Sequence, residues 1–277
     1  MLVLVAAGYL IYHSFRNGTA PPPAPGCKAG TGVQAIDLEP EQAEVAATIA
    51  GVAARHRLPR QAVTIALAAA LQESKLRNLD YGDRDSVGIF QQRPSEGWGS
   101  ATQLQDPVYA TTKFYTALAT VHGYIAMPVY QAAQAVQHSA DGSAYQQWTA
   151  IARQLTGSFT GKSPHDVSCW YTPAGSAKLA AVKRQIGQTF GAAGPRAVVV
   201  RITTDRSGPK KRTTAVLRVR PAAGWTVASW LVAHAQAYHL RQVRYAGFSW
   251  NAANGSMGWQ RESKPTSPSG KTGIVAG

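Results

Sequence analysis

The stretch Val63-Thr-Ile-Ala-Leu-Ala-Ala-Ala-Leu-Gln-Glu-Ser-Lys-Leu76 decides how this chain of 277 residues is read. From Val63 to Leu71 it is apolar apart from Thr64, with no polar stripe at the 3.6-residue period. That predicts a helix buried on every side rather than one lying on a surface. Leu58-Pro59 sets its start near Arg60, and it runs to about Leu76. One carboxylate, Glu73, stands near its C-terminal end.

Working outward, Leu38-Glu-Pro-Glu-Gln opens a preceding helix that reaches about Arg57, its acidic first turn complementing the helix dipole. Downstream, the Gly- and Asp-rich run from Asn78 to Gly88 ends in Ile89-Phe-Gln-Gln-Arg-Pro94, which predicts an irregular loop with a short strand or hairpin. Further helices are predicted from about Pro107 to His122, Val129 to Ser139 and Ala144 to Thr156. Residues 36–171 thus form a mainly α domain with a small β excursion. After it, residues 172–194 predict a short helix and a Gly-rich boundary. Strand-like runs at Ala197–Thr203 and Thr214–Arg220, a helical stripe from Trp225 to Tyr238, and strands near Val243–Trp250 and Met257–Gln260 make 195–262 a small α+β domain. From Ser263 to Gly277 the Pro, Ser, Gly and Lys content predicts a disordered tail.

The bulk composition suits a globular protein, with 45% hydrophobic residues, seven Trp and eleven Tyr. A formal charge of +14, from 28 Lys and Arg against 14 Asp and Glu, favours polyanionic surroundings or serves only solubility. The two cysteines, Cys27 and Cys169, lack the CxxC or His-adjacent spacing of zinc sites, so no metal or other cofactor is expected. They flank one Ala-rich segment, as a domain-closing disulfide of an oxidising compartment would; two separate thiols are the alternative. Met1 to Tyr12 is nearly continuous apolar sequence, short of the ~20 residues of a membrane span. With the Pro-rich run from Ala20, it divides into an anchor or signal remnant (1–16) and a linker (17–35). The expected location is outside the cytoplasm, with the membrane met only through that segment. A nucleic-acid partner fits such a chain poorly.

Cleavage of a glycosidic bond needs a carboxylic acid that keeps its proton long enough to give it to the departing oxygen. Glu73 follows a run of buried apolar residues and sits at the negative end of a helix dipole, and both favour the neutral form. Standing alone, a Glu on an Ala-rich helix is ordinarily a solvated surface residue. Some fifteen residues on, however, Ser86-Val-Gly-Ile-Phe-Gln91 supplies a Gly that permits close backbone approach, an apolar pair and an amide that can donate and accept.

Glu73-Ser74, followed at this spacing by Ser86-Val-Gly-Ile-Phe-Gln91 and Pro94, resembles the Glu-Ser and Gly-Leu-Met-Gln signature of soluble lytic transglycosylases and goose-type lysozymes. The resemblance covers roughly residues 33–160. It implies a lysozyme-like fold, peptidoglycan glycan strands as substrate, Glu73 as the single acid and base, Ser74 as a helper, and Ser86, Gly88 and Gln91 as substrate-contacting positions. The family's later Ala-Tyr-Asn-Ala-Gly motif is absent. Its nearest counterpart is Ala132-Ala-Gln-Ala-Val-Gln-His-Ser, where Gln134 or Gln137 would take the place of the Asn.

The intervening loop carries Asp80, Asp83, Arg84 and Asp85. A hydrolase that inverts would recruit one of these acids, or Glu96, to activate water; the plainer reading is that Asp83, Arg84 and Asp85 pair among themselves. Tyr81, Phe90, Trp98, Tyr109 and Tyr115 are candidates for sugar stacking or for the core. Against the enzyme stands a non-catalytic peptidoglycan-binding or envelope structural protein on the same fold, with anionic wall polymers as a further partner.

Overall fold

A computed structural model describes residues 24–138, 142–192, 198–205, 212–263 and 273–277. The expected anchor, the first part of the linker and residues 264–272 of the expected tail lie outside the described residues. Among the described residues no helix is long and apolar enough to cross a membrane.

The chain opens with β1 (Gly26–Ala29) and β2 (Ile36–Leu38). Helix α1 (Pro40–His56) starts with a proline at its first turn, and Gln42 Oε1 accepts from Glu39 N at 2.9 Å, satisfying a backbone donor at the helix start. It ends where Arg57 turns left-handed. Helix α2 (Arg60–Ser74) follows at once, with every residue from Ala62 to Leu71 buried. An unbroken apolar circumference is stable only when other elements surround it. Here α1, α3 (Pro107–Thr120), α4 (Val129–Gln137) and α5 (Thr149–Phe159) do so.

Strand β3 (Val167–Trp170) then returns to pair antiparallel with β1, giving the sheet order β2-β1-β3. Cys27 faces Cys169 in that register, and the two form a disulfide with an S–S distance of 2.06 Å. Residues 26–29, expected as linker, are therefore a central strand. Alternating burial and the covalent tie outweigh the low strand propensity of Gly26, Lys28 and Ala29.

The remainder comprises α6 (Leu179–Phe190), β4 (Val199–Asp205), β5 (Arg212–Arg218), α7 (Pro221–Ala233), β6 (Gln242–Tyr245), β7 (Phe248–Asn251), β8 (Gln260–Arg261) and β9 (Gly273–Ala276). Six strands form one antiparallel sheet in the order β4-β5-β9-β6-β7-β8. The expected disorder from Ser263 onward does not hold for its last residues, because β9 fills the slot between β5 and β6. There Ile274 pairs with both Leu217 and Tyr245, all three buried.

The protein is thus a mixed α+β molecule with two antiparallel sheets. One buried apolar cluster runs from Cys27 to Ala276 through both halves. Helix α7 packs against α1, and polar ties reinforce the junction. Ser168 Oγ donates to Gly255 O at 2.6 Å, and the indoles of Trp250 and Trp259 donate to Cys169 O and Val167 O, each at 2.9 Å.

Candidate active site

Glu73 lies in the last turn of α2, half-buried, and its Oε1 accepts from the hydroxyl of Tyr145 at 2.6 Å. Tyr145 belongs to a 3-10 segment, Gly142–Trp148, that precedes α5. In such a helix residues three apart eclipse one another, so Tyr145 and Trp148 project to one side. Both reach the end of α2. Trp148 Nε1 donates to Gln72 Oε1 at 2.7 Å, and the Lys75 ammonium stands 4.3 Å from the Trp148 ring centre. Sequence reading missed this pair. The available signal was two aromatics at i and i+3 in a polar run, Tyr145-Gln-Gln-Trp148, which has no reason to be apolar unless it packs.

Ser74 is buried and serves the backbone. Its Oγ lies 2.8 Å from Ile89 O and 3.1 Å from Ala70 O, and it accepts from Arg77 N at 3.2 Å. The hydroxyl therefore pins the Gly88–Gln91 turn to the end of α2. From the other side, Gln137 Nε2 on α4 donates to Phe90 O at 2.8 Å. Glu73, Ser74, the turn and Gln137 thus form one connected group. Gln134, one turn earlier on α4, lies on the same side of that helix as Gln137.

The other expected contact residues shape the turn from within. Gly88 has φ of 79°, and a Cβ there would sit 2.5 Å from Leu104 O, so close approach to that carbonyl requires glycine. Gln91 Nε2 donates to Tyr81 O at 3.3 Å and Gly88 O at 3.2 Å, folding the amide back over the loop. Ser86 is buried, with its N–H given to Asp83 O. Neighbouring Gln92 is 2% exposed, and neither its Nε2 nor its Oε1 has a hydrogen-bond partner among the described residues.

The acidic loop pairs differently from the expectation. Arg84 Nε stands 4.0 Å from Asp83 Oδ2 with both side chains exposed, while Asp85 turns away to Arg93 Nε at 2.9 Å. Asp85 also accepts from Ser95 N (2.8 Å) and Ser95 Oγ (3.0 Å); these donors hold its carboxyl down at about 2. Glu96 takes the other end of the same guanidinium at 2.5 Å. A longer-range donor outcompetes neighbours in sequence here because Arg93 and Ser95 sit on the return of the loop.

Of the aromatics, Phe90 and Tyr115 are core: Phe90 stacks on Phe114 at 4.5 Å, and the Tyr115 hydroxyl donates to Ile49 O at 3.1 Å. Tyr81 is exposed, whereas Trp98 and Tyr109 are half-buried. Among the described residues no three His, Cys, Asp or Glu side chains stand together as metal ligands would.

The arrangement offers one carboxyl group on a rigid support, an O–H donor against it, and a backbone turn fixed beside it from two helices. Such a group can move a proton at a stated atom, Glu73 Oε1 or its partner oxygen. Compared with known proteins, the chain matches no family model and no curated protein.

Proposed function

We propose that this protein cleaves the glycan strands of bacterial peptidoglycan between MurNAc and GlcNAc, and that residues 36–171 carry a lysozyme-like plan. The observation that supports the reading is the half-buried Glu73 carboxyl, held in one orientation by the Tyr145 hydroxyl at the end of a helix buried from Ala62 to Leu71. In its protonated form Glu73 gives its proton to the glycosidic oxygen as the C–O bond breaks. The resulting carboxylate then takes the proton of the 6-hydroxyl of the same MurNAc as that oxygen closes on the anomeric carbon. One Glu serves both steps, so no second carboxylate is required, which agrees with Asp85 and Glu96 being engaged by Arg93.

The supporting parts have distinct tasks. Tyr145 orients the carboxyl, and Ser74 and Gln137 fix the turn against which a sugar would lie. The Cys27–Cys169 disulfide favours an oxidising compartment, consistent with action outside the cytoplasmic membrane. Purified protein incubated with peptidoglycan should release fragments with 1,6-anhydro ends detectable by mass spectrometry, while Glu73→Gln should not. No release, or equal release by the variant, would overturn the assignment; reducing ends would change the reaction to hydrolysis at the same site.

A further inference from the structure

At the far end of α2 from Glu73, ~20 Å along the helix at 1.5 Å per residue, lies a cavity of about 410 Å³. It is bounded by the end of α1, the start of α2, the end of α6 and the start of α7. Four arginines line it: Arg55, Arg57, Arg60 and Arg220, with Val63 and Phe190 among the apolar residues of its walls. Among the described residues no carboxylate lines it and none of the four arginines is in an ion pair. Arg55 Nη1 donates to Gln188 O at 2.8 Å, which leaves most of its donors available.

Four like charges around one recess repel one another, and a bound polyanion relieves that repulsion. Guanidinium forks match the oxygens of phosphate, and a site with four of them favours a dianion over a singly charged carboxylate. Aliphatic and aromatic walls in turn favour an apolar appendage, and the volume lies in the range of small-molecule sites, roughly 300–1,000 Å³. We infer that this cavity binds a phosphate group carrying an apolar chain. Its source is either a soluble organophosphate or a lipid headgroup. The inference does not depend on Glu73 or on glycan cleavage.

The test uses the full chain and octyl phosphate, followed by titration calorimetry, with inorganic phosphate and octanoate as comparison ligands. The double variant Arg60→Gln/Arg220→Gln removes two exposed guanidiniums from the cavity. Lys183→Gln/Arg184→Gln removes the same charge from α6, outside it. Octyl phosphate should bind at one site, at least about ten-fold more tightly than either comparison ligand, and the cavity variant alone should weaken it by at least about ten-fold. Absence of binding, equal binding of octanoate or inorganic phosphate, or equal weakening by both variants would overturn the inference. Co-sedimentation with phosphatidylglycerol vesicles separates the sources. Retention lost specifically in the cavity variant identifies a lipid; retention unchanged, with octyl phosphate binding lost, identifies a soluble ligand.

Discussion

Tyr145 and Glu73 are 72 positions apart, yet the phenol hydroxyl lies 2.6 Å from the carboxylate. The ring is buried, so its position is fixed by packing, and the hydroxyl holds the carboxyl in one orientation. Under the proposed function, Tyr145→Phe keeps the ring and removes the hydroxyl's bond to Glu73. The release rate of soluble fragments from peptidoglycan should fall by about ten- to a hundred-fold, in line with the ~1.5–3 kcal/mol of a hydrogen bond to a charged group. Thermal unfolding should change little.

The disulfide closes a loop with a sequence separation of 142. By the chain-entropy relation, removing it relaxes the unfolded chain by about 5 kcal/mol. Urea unfolding of the Cys27→Ser/Cys169→Ser variant should show a loss of that order or less, with the denaturant slope raised because the uncrosslinked chain exposes more surface.

Glu44 on α1 and His234 after α7 give stability opposing pH slopes. Burial, with Glu41 nearby, raises the Glu44 carboxyl from 4.5 to about 7, so as pH climbs from about 4.5 to 7 the unfolded chain ionises first and stability falls. Burial lowers His234 from 6.5 to about 4. The unfolded chain therefore takes the proton first as pH drops from 6.5, and stability falls in that direction. Trp230 O can only accept, so the 2.9 Å contact places the proton of neutral His234 on Nδ1, leaving Nε2 to face the Thr48 hydroxyl at 3.4 Å. Glu44→Gln removes one slope only. It should match the parent at pH 4 and exceed it by up to about 3 kcal/mol at pH 8, as read by urea unfolding at the two pH values.

With no partner among the described residues, the buried amide of Gln92 carries a desolvation penalty. Gln92→Met keeps the shape without the polar atoms and should stabilise the protein by about 1–2 kcal/mol. A loss of stability would show that the amide is hydrogen-bonded in solution.

Ile274 is fully buried in β9 between two partner strands. Ile274→Asp puts an unpaired charge there and should cost at least about 3 kcal/mol, seen as a lowered melting temperature and faster proteolysis of the C-terminal half.

Much of this architecture was legible along the sequence because its signals are local. The unbroken apolar run of α2, the prolines that open α1 and α3, and the paired strands β4 and β5 all declare themselves within a few turns. What failed was non-local. Gly273-Ile-Val-Ala is too short and too plain to announce a strand, and acquires one from β5 and β6. Gly26–Ala29 resembles the linker before it until β3 returns 140 residues later. In the candidate site, Glu73 and the Gly88–Gln91 turn were singled out through the family signature that they resemble, and the structure brings them side by side. Tyr145 was not, since a tyrosine in a polar turn gives no hint of which carboxylate it will meet. Asp85 was assigned to its neighbours because the return of the loop, which brings Arg93, is a three-dimensional fact.

The position of β9 also divides the six-stranded sheet into two parts that this one strand joins. Without residues 273–276, β5 and β6 have no common neighbour, and β4-β5 and β6-β7-β8 are two separate ladders. Each ladder then presents an unpaired edge, Thr- and Val-containing on β5, of the kind that recruits other chains. Strand β9 thus protects both ladders at once, and its presence keeps the sheet from seeking partners outside the chain.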